Sequence, residues 1–326
     1  MLSATMLGPI GFVNAADWPD KPVKAVPAVD TPFFTVNDNR LTYAYLFDAN
    51  TPLAPGGKNV AAFTHFDAWA YGTNSFNGLL AKNQQGDVAS SCRLPNQGCA
   101  GSLEFHGFLR STLGFNQVFD TKAFSVGPLQ NVSLAVGGGV QFKNTFSAIN
   151  RNSTTAGLQF DFALPYKGYF NITPQMYKAW QYAGSYAAIS FAPAFPGAPN
   201  GWLDFDPTWS VFMSYYMPLG FLPESIPLSV SGNFTIIGPM GTGAKPGVLP
   251  AALIAPTLTE YNGEPVRLTL DASKVLWGPK YSHFVDVWVA YKYWRNLLGL
   301  DDTSNLACLS LNCRGSSLYS GITVKF

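Results

Sequence analysis

The chain has 326 residues, of which only 12% are charged and 15% are aromatic, and its formal net charge is +1. That balance provides no basic surface to hold nucleic acid through counterion release, so no nucleic-acid partner is expected. A mean hydropathy of +0.09 is high for a soluble enzyme, yet beyond the first residues no stretch approaches the roughly 18 to 20 consecutive apolar residues of a spanning helix.

In chain order, Met1 to Ala16 is apolar and small, and Val13-Asn14-Ala15 presents small or modest side chains where a signal peptidase reads. Residues 1–15 are therefore expected to be a signal peptide cleaved after Ala15. Residues 16–38, opening with Asp17-Trp18-Pro19, read as a polar, Pro-rich periplasmic segment, and 39–326 as a barrel. From Arg40 onward apolar and polar residues alternate with period two, in segments of about ten residues separated by turn residues. Strands are predicted over 40–47, 59–66, 74–82, 102–111, 131–142, 155–164, 169–180, 205–216, 227–237, 264–274, 282–297 and 316–326. The expected fold class is all-β, a closed antiparallel transmembrane β-barrel of about twelve strands, the even count that bacterial barrels show.

Connections alternate in length. Those at 48–58, 83–101, 143–154, 181–204, 238–263 and 298–315 are polar and mostly long, as external loops are; Asp67–Thr73, Pro165–Gly168 and Gly278–Tyr281 are tight, and 112–130 is a longer exception. Cys92 with Cys99 and Cys308 with Cys313 fall in two of the long loops, each in a Ser/Asn/Gly-rich setting, and are expected to form two disulfides on the oxidising side. Their spacing is not a zinc pattern and no His lies nearby, so no metal or redox role is expected of them.

Charge placement predicts the facing of each strand, since a charge on the lipid side costs a few kcal/mol near the midplane. In the last strand Leu318, Ser320, Ile322, Val324 and Phe326 are expected outward and Tyr319, Gly321, Thr323 and Lys325 inward. By the same rule the lumen should receive Glu104, His106, Phe108 and Arg110; Gln159 and Asp161; and Asn171, Thr173, Gln175 and Tyr177. Arg267 and Asp271, then Asp286, Trp288, Ala290, Lys292 and Trp294, complete the expected lining. Rings and ionisable groups together suit a solute with a flat face and hydroxyls, because a ring stacks at about 1 to 3 kcal/mol per base and polar groups bond sugar hydroxyls. The competing reading is that these charges only fill the barrel as pairs, such as Glu104 with Arg110 or Arg267 with Asp271.

The segment Phe63-Thr64-His65-Phe66-Asp67-Ala68-Trp69-Ala70-Tyr71-Gly72 resembles the strand-turn motif, roughly F-E-H-F-D-G-W-K-Y-G-D, of the Tsx-like nucleoside-specific channels of the outer membrane. Asn37-Asp38-Asn39, Ala290-Tyr291-Lys292-Tyr293-Trp294-Arg295-Asn296 and the terminal Phe326 are similar to that family too. The resemblance implies a monomeric twelve-stranded barrel with a narrow, aromatic-lined passage that admits nucleosides and deoxynucleosides by facilitated diffusion, with no cofactor or energy source. Separately, a terminal Phe after apolar residues at alternate positions is the signal by which the barrel-assembly machinery of the Gram-negative outer membrane commonly recognises its clients. Thr64 stands where the motif commonly has Glu, and Ala44 leaves strand one without a basic residue there. Rival readings are a channel for an aromatic acid, a sugar or a hydrophobic compound, a scaffold for loops, and an outer-membrane lipid hydrolase. The hydrolase reading has only His65, His106 and His283 to draw on and no G-x-S-x-G nucleophile motif, so no enzyme is expected.

Overall fold

A computed structural model describes residues 33–47, 57–83, 103–144, 150–182, 202–241, 258–303 and 313–326. The expected signal peptide, most of the segment after it, and Cys92, Cys99 and Cys308 lie outside the described residues. Cys313 is buried and is not a free thiol, and the two expected pairings themselves fall outside the described residues.

Each segment of period-two alternation contains a strand, with several ends shifted. The strands are β1 (Phe34–Leu46), β2 (Lys58–Trp69), β3 (Gly72–Asn83), β4 (Leu103–Gly114), β5 (Leu129–Lys143), β6 (Asn150–Leu164) and β7 (Gly168–Tyr182). They continue with β8 (Trp202–Asp204), β9 (Thr208–Pro218), β10 (Leu228–Ile237), β11 (Glu260–Asp271), β12 (Val285–Arg295) and β13 (Gly315–Lys325). Each is antiparallel to its neighbours, and β1 pairs with β13 while β6 pairs with β7, so the sheet closes on itself. Both β8 and β9 lie along β7, against Trp180–Tyr182 and Tyr169–Tyr177 respectively, and make one interrupted wall strand. The result is a closed, twelve-stranded, all-antiparallel barrel with no free edge.

Three local differences from the sequence reading have physical causes. β1 begins at Phe34 and takes in Asn37-Asp38-Asn39, which pair with Asp67, Phe66 and His65 of β2. The strands β2 and β3 run to Trp69 and from Gly72, leaving a turn of Ala70 and Tyr71. The expected strand end at 272–274 is instead a helix, Ala272–Trp277, because the Asp271 carboxylate accepts from the Lys274 amide and caps it, while Gly278 at φ 88° ends it.

The wall is inverted relative to a water-soluble protein. Leu41, Tyr43, Leu109, Met176, Val289, Leu318 and Ile322 point outward and are exposed, whereas Glu104, Arg110, Glu264, Arg267 and Lys292 are buried inside. Lipid solvates such an exterior, and the closed sheet leaves no unpaired backbone group to it. Aromatic rings crowd the end that carries the short turns: Phe33 stacks on Trp69 at 5.8 Å, Trp69 meets Tyr71, and Tyr166 meets Phe221. Phe115, Phe119 and Phe124 cluster there, as do Trp277, Tyr281 and Phe284. Rings of this kind mark the boundary between hydrocarbon and headgroups.

Candidate functional site in the barrel lumen

The charged and aromatic side chains assigned to the lumen are buried or half-buried, and neither of the two pairs named in the competing reading forms. On the side formed by β10 to β13, Arg267 makes a two-bond fork with Glu264, Nε to Oε1 at 2.6 Å and Nη2 to Oε2 at 3.1 Å. Its guanidinium carbon lies 3.7 Å from the centre of the Trp288 ring, and Nη2 donates to the Tyr319 hydroxyl at 3.3 Å. Trp288 is held in turn by its indole N–H on Thr323 Oγ1 at 3.0 Å and by the edge of Tyr319. A Cβ at Gly321 would come within 2.5 Å of Trp288 Cζ2, so the indole lies close over that glycine. The face of Trp288 that was expected to stack on solute is thus covered by Arg267.

Glu264 was missed because of a bulge. Ser231 pairs with Arg267 and Asn233 with Glu264, so β11 carries an extra residue about Pro265. The bulge reverses the parity of β11: Arg267, Thr269 and Asp271 face inward on one side of it, and Glu260, Asn262 and Glu264 on the other. A proline, with no N–H for the ladder, belongs at such a break. Extending the strand without the bulge would have sent Glu264 outward.

Arg40, also missed as a lumen residue, repeats the arrangement. Its Nε and Nη2 bond Asp38 at 2.6 and 3.0 Å, and Nη1 stands 3.6 Å from Asp286 Oδ2. Lys325 reaches the same Asp38 at 2.6 Å, and His283 Nδ1 bonds Asp286 Oδ1 at 3.0 Å. Between the two arginines is a cavity of about 40 Å³, lined also by Thr42, Thr64, Tyr216, Ser229, Ser231, Thr269, His283, Asp286, Trp288 and Thr323. Six of these linings are Ser or Thr, because inward positions of β1, β2, β10, β11 and β13 carry small hydroxyl residues where the cations need room. A space of this size admits a few waters.

On the opposite side amides and hydroxyls surround the cation. Arg110 of β4 donates to Gln159 Oε1 at 2.9 Å and Thr173 Oγ1 at 2.7 Å, weakly to Gln175 at 3.4 Å, and lies 5.0 Å from the Phe212 ring. Phe108 meets Phe212 across the lumen at 6.5 Å. Asp161 accepts from Gln159 Nε2 at 2.6 Å and Ser133 at 3.0 Å, so one amide bridges the cation and the carboxylate. The expected Glu104–Arg110 pair does not form: Arg110 sits several residues along β4, and Glu104 is met by Lys143 at 2.6 Å, Lys58 at 3.0 Å and His106 at 3.4 Å. Near the end with the long loops, Arg151 pairs with Glu260 at 3.0 Å and stands over Tyr177, and buried Lys292 donates to Asn262.

The Arg267–Asp271 pair does not form either. The Asp271 carboxylate accepts from Ser273 Oγ, the Lys274 amide, Ser282 Oγ and the His283 amide at 2.6 to 2.9 Å. Asp271, His283 and Asp286 bring ligand-type atoms within 4.8 Å of one another. Four donors occupy the lone pairs of Asp271, however, so its work is to build the rim turn rather than to ligate a cation. His65 faces outward near the rim, between Asn39 Oδ1 at 2.8 Å and Asp67 Oδ2 at 3.1 Å.

No family model matches the chain, and no curated protein matches it. Among solved structures it is similar to the translocator domain of the autotransporter NalP from Neisseria meningitidis, at 8% identity and a TM-score of 0.37, over 89% of this chain and 88% of that one. It is also similar to OccK11 (OpdR) of Pseudomonas aeruginosa, at 9% identity and a TM-score of 0.27, over 89% and 95% of the two chains. OccK5 (OpdH) of the same organism gives 10% identity and a TM-score of 0.26, over 89% and 98%. Likeness this loose says nothing of what the lumen passes, and the barrel rests on its own strand pairing.

Proposed function

We propose that the protein is a monomeric outer-membrane channel for passive uptake of small, uncharged solutes that carry both a ring and hydroxyl groups. Nucleosides and deoxynucleosides are the class expected from the Tsx-like motifs. The observation that carries this reading is the cavity beside Arg40 and Arg267. Each guanidinium there already holds a carboxylate, Asp38 and Glu264 respectively, so neither attracts an anion strongly. What faces the space is a set of hydroxyls on one part and, on another, the Arg267 plane backed by Trp288. Hydroxyls exchange hydrogen bonds with a sugar, and an arginine plane stacks on a base. Weak repeated contacts of this kind let a solute leave as well as enter.

The cavity holds only water-sized guests, so passage requires long side chains such as Arg40 and Arg267 to swing aside. No cofactor or energy source belongs to the proposal, and the histidines, which bond carboxylates and an amide, serve no catalytic step in it. A more apolar solute is the second reading, favoured by Tyr177, Phe205, Ile237 and Met240, which cluster at the end with the long loops.

Single-channel recording in planar bilayers, with added nucleosides, hexoses and aromatic acids, tests the choice. Block by nucleosides at micromolar to millimolar concentration is expected, with weaker effects from the others. Equal indifference to all three, or preference for the aromatic acids, would overturn it.

A further inference from the structure

At the end with the long loops the chain does not simply leave the wall after β12. Leu297, Leu298 and Leu300 are buried at 5%, 1% and 1% exposure, in a turn that puts Asn296 and Leu298 in the left-handed region at φ 51° and 63°, with Gly299 at 71°. Side-chain-bearing residues seldom adopt that backbone, and they keep it only where surrounding bonds over-determine it. Those bonds are present. The Leu298 amide donates to Glu260 Oε2 at 3.0 Å, Asn296 Nδ2 to the Thr259 carbonyl at 3.0 Å, and the Leu258 amide to the Gly299 carbonyl at 3.1 Å.

Glu260 is the common anchor. It points inward from the first residue of β11, and the same carboxylate takes Arg151 Nη1 at 3.2 and 3.0 Å from β6, which lies four wall strands away. Arg151 Nη2 also reaches Met240 Sδ at 3.5 Å, and Met240, from the chain just after β10, is buried at 1%. One ion pair therefore ties two distant parts of the wall, and its carboxylate also holds the leucine turn.

We propose that Leu297–Leu300, with Met240, is a lid over the long-loop mouth of the lumen, and that Glu260 is its latch with Arg151 as the counter-charge. The proposal rests on the channel reading. Closing buries leucines that would otherwise face water, and the buried carboxylate supplies the hydrogen bond that holds the strained turn. Opening frees that turn once the Glu260 contacts are lost, so lid and latch move together, leaving the strand ladder intact.

The test compares Glu260→Ala and Glu260→Gln with the unsubstituted protein, using hydrogen exchange of peptides spanning 296–300 and single-channel conductance; heat-modifiable gel mobility establishes folding. Lid exchange should rise about tenfold or more in the Ala variant, and less in the Gln variant, whose amide oxygen still accepts from Leu298. Exchange in peptides of β4 and β5 should not change, and open probability should rise. Leu298→Ala is the second variant, since it removes most of the buried side chain and keeps a Cβ on the left-handed backbone, with Glu260 and Arg151 in place; it should open the mouth also, and lid exchange and conductance equal to those of the unsubstituted protein would overturn the lid. Unchanged lid exchange in folded Glu260 variants overturns the latch. Faster exchange with conductance equal to that of the unsubstituted channel overturns the gate and leaves the channel reading standing. Faster exchange without conductance in any form overturns the channel reading itself.

Discussion

The two sides of the lumen solve one problem differently. Where β10 to β13 meet β1, each buried guanidinium is forked onto its own carboxylate, Arg267 on Glu264 and Arg40 on Asp38, and space remains between them. Across the barrel Arg110 has no such partner and is wrapped by the oxygens of Gln159, Thr173 and Gln175, with Asp161 one amide further away. The pairs concentrate charge in compact units beside a cavity, and the amide web spreads the same charge over several side chains that it ties together. A passage is expected on the paired side, and the amide side reads as a brace.

Glu264 carries the largest expected effect. Glu264→Gln should lower folding stability by about 3 to 5 kcal/mol, because it leaves Arg267 charged and buried without its fork. The urea midpoint of the refolded barrel in detergent measures this. The double change Glu264→Leu with Arg267→Met should recover most of the loss, as removing both charges removes the need for either. Arg110→Met comes next and should cost about 1 to 3 kcal/mol, since it strands the neutral oxygens of Gln159 and Thr173, while Asp161, one amide away, keeps its hydrogen bonds from Gln159 and Ser133. If Arg110→Met proved the more damaging of the two, the distinction between paired side and braced side would fail.

The fold was legible because charge and alternation agree along the chain. Lys325 inward and Phe326 outward set the parity of β13, and Asp286, Trp288 and Lys292 set that of β12; the register pairs Trp288 with Gly321 and Lys292 with Ser317 on the same face. The partners were much less legible. Glu264 is hidden by the bulge at Pro265, Arg151 lies at an end of β6 beyond the predicted strand, and Asp38 was placed outside the barrel because the alternation was read only from Arg40. Cross-lumen pairs such as Arg151 with Glu260 depend on barrel closure and side-chain reach, which no local pattern contains. Asp271 shows the converse error: a charge with the right parity turned out to be a helix cap.

Trp288 gives the finest division between structure and passage. Trp288→Ala removes the backing of the Arg267 plane, and nucleoside block of the channel should weaken by about 1 to 3 kcal/mol of binding if that plane is the stacking platform. Trp288→Phe keeps a ring under the guanidinium but loses the indole bond to Thr323. It should therefore cost only about 0.5 to 1.5 kcal/mol of stability, and titration with nucleoside should give nearly the unsubstituted block. Thr323 keeps its contact with Thr42 at 2.8 Å in that variant, so the hydroxyl side of the cavity is left in place and only the ring side is probed. If Phe and Ala weakened block equally, ring backing would be irrelevant and the hydroxyls alone would set the preference for solute.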